Sequence, residues 1–211
     1  MTTPPERIVN SRAYWDARFA SGSWEQQRGY EQTAYFASEL LAQIPEGVHE
    51  ELQGMTRPLL VDWGCAHGEG VLALSNAFPR AMVWGYDFST SAVARAAAHV
   101  VNRANVAFTA QEELLPAAFD LVVCSNVLEH FRDWRERLQH LCAISRRYVA
   151  VLVPYRDPVG GEHVVSFHRG AFPPRVGDHV KIADRPFDCD APGLWVGEQE
   201  IVVYAIGGED V

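Results

Sequence analysis

The sequence predicts an α/β fold built on a mostly parallel sheet, with helices on both faces. Three observations carry this. Short apolar runs at 58–63, 81–86, 106–109, 119–124 and 148–153 alternate with stretches of helical spacing, the pattern of βαβ units with right-handed crossovers. The run FDLVVC at 119–124 lacks the regular polar alternation of a half-exposed strand, as expected when both faces of a parallel strand are buried. The run at 58–63 ends in Asp62-Trp63 and passes directly into Gly64-Cys65-Ala66-His67-Gly68-Glu69-Gly70, which reads as strand, glycine-rich turn and helix.

Taken in order, the first 45 residues read as helical and amphipathic. Residues 11–19 carry Tyr14, Trp15, Arg18 and Phe19 as an aromatic stripe. A turn is expected at Ser21-Gly22-Ser23. A second helix starts near Gln32 or Thr33, buries Phe36, Leu40 and Ile44, and ends at Pro45. The polar, Gly- and Pro-punctuated stretch 45–57 reads as a linker or loop. After the glycine-rich turn, 71–78 has helical spacing closed by Pro79. The second strand ends at Asp87. Ser89, Thr90 and Ser91 offer N-caps for an Ala-rich helix over about 92–102. Asp133 and Glu136 have the spacing of a capping box for a helix running to about 145. The tail, 156–211, is rich in Gly, Pro and His and carries a strand near 200–206. It has no room for another βαβ unit, so one or two antiparallel edge strands are expected, with a loop over the active face. This divides the chain into a helical cap at 1–45 and a sheet domain at 55–211, one domain overall.

Composition narrows the function classes. With 48% hydrophobic and 21% charged residues, the chain can build a core and is not a disordered tail. A net charge of −9 argues against nucleic acid, whose binding needs clustered cations. No apolar run approaches the ~20 residues needed to span a bilayer. The N-terminal MTTPPERIVN has no signal-peptide pattern. The four cysteines form no CxxC pair, which fits a reducing, cytoplasmic compartment. Oligomeric state is not legible.

A glycine-rich turn between strand and helix places backbone N–H groups at the carboxyl edge of a parallel sheet, where a ligand can approach the backbone. An acid ending the second strand, roughly 20 residues on, can accept both ribose hydroxyls, and Asp87 stands there. A nucleoside-bearing cofactor follows. The dinucleotide pattern GxGxxG would need Gly at 66 and 69, where Ala66 and Glu69 stand. Glu69 would also bring a negative charge towards a pyrophosphate. A cofactor without phosphate fits better.

These residues, DWGCAHGEG followed by GYDFS and SNVLEH, resemble the Rossmann-like class I S-adenosylmethionine (SAM) methyltransferases of small-molecule type, over roughly residues 58–155. The resemblance implies a methyltransferase, with S-adenosylhomocysteine (SAH) as product. It implies cofactor contacts from Asp62, Gly64, Cys65, Ala66 and Gly68 in the first turn and from Asp87 and Phe88 after the second strand. Gln111 or Glu112 would contact the adenine amino group, and Ser125 and Asn126 would lie near the methionine end. Ala66 departs from the usual glycine. The N-terminal YWDARFASGSW resembles the cap of small-molecule members, with Trp24, Tyr30 and Gln32 closing on cofactor or substrate. The same likeness implies a small polar acceptor: a sugar, a polyol or a natural-product intermediate in a biosynthetic pathway. O-methylation is expected, with N-methylation or a non-catalytic SAM-binding scaffold as alternatives.

A hydroxyl acceptor must lose a proton, and histidine is the usual base. His130 ends the SNVLEH loop, and His163 and His168 follow the fifth strand. All three are expected at one mouth, His163 foremost because Gly160-Gly161 reads as a hinge. Some methyltransferases similar to this chain hold a divalent metal with Glu-x-x-Glu-His and a distant His. Asn126 stands at the first Glu, leaving Glu129, His130 and His163 or His168 as a metal set.

Overall fold

The structure, a computed structural model, describes residues 8–207. An eight-stranded sheet runs in the order β3-β2-β1-β4-β5-β8-β7-β6. Strands β1 (Leu59–Trp63), β2 (Met82–Tyr86), β3 (Val106–Thr109), β4 (Phe119–Ser125) and β5 (Ser145–Tyr155) are parallel. The remaining strands β6 (Arg175–Val176), β7 (His179–Asp188) and β8 (Glu198–Ile206) are antiparallel. β8 lies inside the sheet, paired along its length with β5 and β7. The tail therefore supplies three strands rather than one or two. β7 was hard to see because KIADRPFD offers only weak alternation and contains Pro186.

Alternation along the strands splits the core into two layers. Leu60, Val83, Leu121, Val123, Leu152 and Ile201 face α3 (Gly29–Gln43), α4 (Glu46–Gly54) and α5 (Glu69–Ala77). Val61, Phe119, Val122, Val149, Val151 and Tyr204 face α7 (Trp134–Ala143) and the segment after β5. Phe167 and Phe172 stack there, each with its ring centroid 5.2 Å from that of Trp134. At the amino edge, the buried Asp120 accepts from Leu59 N and from both ends of the Arg146 guanidinium at 2.7 Å. Burial opposes its charge, but these partners outweigh it and hold the carboxyl below its usual range.

Two local expectations are corrected. Residues 46–54 form α4, not a loop: Val48 and Leu52, one turn apart, are buried against the first layer. Pro45 stops α3 but also starts α4, since a proline at a helix entry loses no hydrogen bond. The capping box at Asp133 does not form; that carboxylate pairs with Arg137 instead. The short α2 (Ser23–Gln26) follows α1 (Arg12–Ala20), with Gly22 left-handed at φ 77° between them. α6 (Thr90–His99) is capped by Ser89 as expected.

Candidate functional site

The strand order reverses between β1 and β4, and a crevice opens at their carboxyl ends, the usual ligand site of such sheets. The turn after β1 is drawn onto β2 by Gly64 N and Cys65 N, which both donate to the Tyr86 carbonyl. Gly64 is left-handed at φ 89°, and a Cβ there would sit 2.4 Å from a Val127 methyl. Ala66 is also left-handed, at φ 45°, a strained state for a residue with a side chain. Its N–H donates to Asp87 Oδ2 at 3.1 Å, while Asp87 Oδ1 accepts from Ser89 N at 2.8 Å.

Two chambers open beside this turn. The first, of about 500 Å³, runs from Trp63, Tyr86, Asp87 and Phe88 to Asn126 and His130. The second, of about 650 Å³, reaches from Ser125 and Asn126 to Glu129, His163 and Trp195. They share Trp15, Trp24, Gly64, Ala66, Asn126 and His130. Helix α1 roofs both. It is fastened at one side by Asp16, which accepts from Ser89 Oγ and Ser91 N. At the other side Tyr14 and Arg18 reach Glu162.

Of the residues singled out in the sequence, Trp24 lines both chambers and Gln32 the second, where its amide donates to Leu194 O. Asp62 lines a small adjoining cavity with Gly64, Gly70 and Ser125. Tyr30 lines neither chamber; its ring packs at a tilt against His67 and His99. Cys65 is buried, and Gly68 lies against Phe108 and Val100. Gln111 is exposed. Glu112 is spent on Trp63 Nε1 at 3.0 Å and His140 Nε2 at 2.6 Å. Neither of that pair lines the first chamber. His130 and His163 come together, ring centroids 5.3 Å apart. His168 does not join them: Phe167 turns inward to bridge Tyr155, and the next residue points to solvent. Gly160-Gly161 is not a hinge but part of a closed turn, with two backbone bonds between Gly160 and His163.

Three residues in or beside the chambers escaped sequence reasoning. Asp157 accepts from His163 Nδ1 at 2.7 Å, a pairing that only the turn creates. Trp195, in the loop between β7 and β8, walls the second chamber and packs edge-on against Phe36. His67, fully buried beneath Phe19, Trp24 and Tyr30, joins the turn to the cap. Burial pushes its imidazole down to about 4, so it is neutral.

The electrostatics are distinctive. Burial, then the charge of Asp87, pushes Asp62 up to about 7. Burial pushes Asp87 up to about 6, Glu69 to about 7 and Glu129 to about 8. The crevice thus holds carboxyls short of positive charge. This is the donor set a cation would satisfy and a pyrophosphate would not, and it fits a sulfonium cofactor bearing an ammonium group. A stability consequence follows. These acids bind protons more tightly folded than unfolded, so their contribution is present at low pH and lost as pH rises towards 7–8. The melting temperature of the cofactor-free protein is expected to fall between pH 5.5 and 8, with SAH restoring more at pH 8. A cofactor-free melting temperature that rises over this window would contradict the assignment.

Residues 61–146 match the family model of a methyltransferase domain. A search of curated proteins finds no match. Among solved structures, the chain is similar to magnesium protoporphyrin IX methyltransferase of Synechocystis with bound SAH, at 18% identity and a TM-score of 0.60, covering 96% of this chain and 90% of that one. It is also similar to a chain from the Haloferax volcanii complex between the Trm112 methyltransferase activator and a methyltransferase, at 15% identity and a TM-score of 0.66, covering 97% and 100%. A third is the plantazolicin methyltransferase BpumL with a monoazolic desmethylPZN analogue and SAH, at 13% identity and a TM-score of 0.60, covering 92% and 94%. At these identities the structures speak for the fold alone, and the family match for a methyltransferase domain over residues 61–146. Turn, sheet and the match over residues 61–146 together make the chain similar to SAM-dependent methyltransferases.

Proposed function

We propose that the chain transfers the methyl group of SAM to a hydroxyl of a small polyhydroxylated acceptor, a sugar, a polyol or a natural-product intermediate. One observation carries this: two chambers share a wall at Gly64, Ala66 and Asn126, and the second presents His163, backed by Asp157, where an acceptor would lie. In the first, Asp87 would hold the ribose hydroxyls and Trp63, Tyr86 and Phe88 would flank the rest, while Asp62 would face the positive end of the cofactor from the adjoining cavity.

The sulfonium supplies an electrophilic methyl when bound, so the protein's work is alignment, exclusion of water and removal of a proton. Alignment of bound partners contributes up to ~7–11 kcal/mol in favourable cases. Trp15, Phe19 and Trp24 close the roof and keep water out. Asp157 holds the Nδ1 proton of His163 and leaves Nε2 to take the proton of the hydroxyl; the carboxylate then stabilises the imidazolium. Trp24, Trp195 and Phe36 offer apolar walls, and Gln32, Glu129 and Glu162 offer hydrogen-bonding groups. That mixture suits a sugar, whose ring has apolar faces and a polar rim.

A second reading is favoured by one geometric fact. Ligand atoms of Glu129, His130 and His163 lie within 4.8 Å of one another, close enough for one divalent cation, which would ionise Glu129 and acidify the hydroxyl. Titrating SAM and NAD separately, then assaying transfer to a panel of glycosides and polyols with and without EDTA, tests both. SAM binding, no NAD binding and EDTA-resistant transfer to a hydroxyl are expected. Loss of transfer with EDTA, regained with Mg²⁺ or Mn²⁺, would replace the simple base by the metal. Transfer only to amines, or none, would overturn the proposal.

A further inference from the structure

The turn that carries His163 also carries Glu162, and this residue meets the cap and His130 at once. Its carboxylate Oε1 accepts from Tyr14 Oη at 2.5 Å and lies 3.3 Å from Arg18 Nε. Its main-chain oxygen accepts from Asn10 Nδ2 at 2.7 Å and lies 3.0 Å from His130 Nδ1. Tyr14 and Arg18, four residues apart on α1, face Glu162 together, and Asn10, left-handed just before the helix, reaches its main-chain oxygen. Burial, then the bond to Glu162, pushes the Tyr14 phenol up to about 12, so it remains a donor throughout the working range.

A carbonyl oxygen can only accept. His130 must therefore carry its proton on Nδ1, and its Nε2 lone pair is left free beside Glu129 Oε1, 4.0 Å away. This is the tautomer that is in the minority for free imidazole in water. Trp15 of the cap rests edge-on against the same ring at 5.1 Å. The ring borders both chambers.

We propose that Glu162 is a positioning residue: its side chain anchors the closed cap, while its carbonyl oxygen locks His130 in the Nδ1–H form. Closing the cap and readying the imidazole are then one event. The turn makes this possible, because the paired bonds between Gly160 and His163 hold Glu162 rigidly between them. The consequence for turnover rests on reading the second chamber as the acceptor site. The tautomer does not, because it can be read without any acceptor.

The test is long-range ¹H–¹⁵N NMR of the SAH-bound protein labelled in histidine, with His130 assigned from the spectrum of His130→Gln. Wild type should show a protonated Nδ1 and a bare Nε2. In Glu162→Ala the Nε2–H form should appear as a substantial population, whereas Glu162→Gln, which still accepts from Tyr14, should keep the wild-type pattern. Tyr14→Phe, acting from the cap side, should shift the population in the same direction as Glu162→Ala. SAH affinity measured in parallel shows that each variant is folded. A wild-type His130 protonated at Nε2 would overturn the proposal, and so would an unchanged tautomer in both Glu162→Ala and Tyr14→Phe. If the tautomer shifts while turnover holds, the coupling stands and His130 takes no part in the transfer, which leaves His163 as the base.

Discussion

Replacing His163 by alanine is expected to lower methyl transfer at least a hundredfold while SAM affinity stays intact. A general base typically contributes ~10²–10⁴-fold. His163 is a half-buried histidine of the second chamber with a carboxylate on its far nitrogen. Asp157→Asn should reproduce much of the loss, because an amide in place of the carboxylate no longer stabilises the imidazolium. His168→Ala should be silent, since that side chain points to solvent. The measurement is kcat on the best hydroxylated acceptor beside calorimetry with SAM. A His163→Ala variant that keeps more than a tenth of wild-type kcat would show that alignment alone drives the reaction.

The second large effect belongs to Asp87. In Asp87→Ala, two charge-assisted hydrogen bonds to the ribose are lost, each worth ~1.5–3 kcal/mol, which lowers SAM affinity by ~10²–10⁴-fold. The same carboxylate holds the N–H groups of Ala66 and Ser89, so the left-handed turn at Ala66 loses its anchor as well. Asp87→Asn separates these roles: its amide presents hydrogens where the backbone already donates, so one of those contacts must break. Affinity within a factor of three of wild type in Asp87→Ala would reduce Asp87 to a cap for α6.

The parallel half of the fold was legible because its signals are local. Each apolar run, each cap and the turn at Gly64 lie within a few residues of the feature they specify, and β3 begins and ends where the pattern places it. What was missed depends on contacts distant in sequence. Pro45 is a stop when read alone and a start once Val48 and Leu52 have a layer to pack against. Glu112 resembles an adenine ligand until His140, 28 residues away, claims its carboxylate. Among the three histidines, sequence placed all of them at one edge, but only the inward turn of Phe167 decides that His163 faces the chamber and His168 does not. The second chamber was the least legible part, since Trp15, Gln32, His163 and Trp195 come from four segments that no motif joins.

The placement of β8 between β5 and β7 has a consequence for synthesis. While the ribosome makes residues 156–197, the bonding edge of β5, with Val149, Val151 and Val153, has no strand beside it. At ~5–20 residues per second this lasts a few seconds. An apolar, unpaired edge is a template for pairing between chains. The second chamber is also incomplete until Gly193 and Leu194 reach Arg28 and Gln32. A nascent chain halted near residue 160 therefore has the turn after β1 but not the Trp195 wall of the second chamber, and its open edge invites chaperone holding or aggregation. The step that finishes the enzyme is the same one that makes it safe in solution.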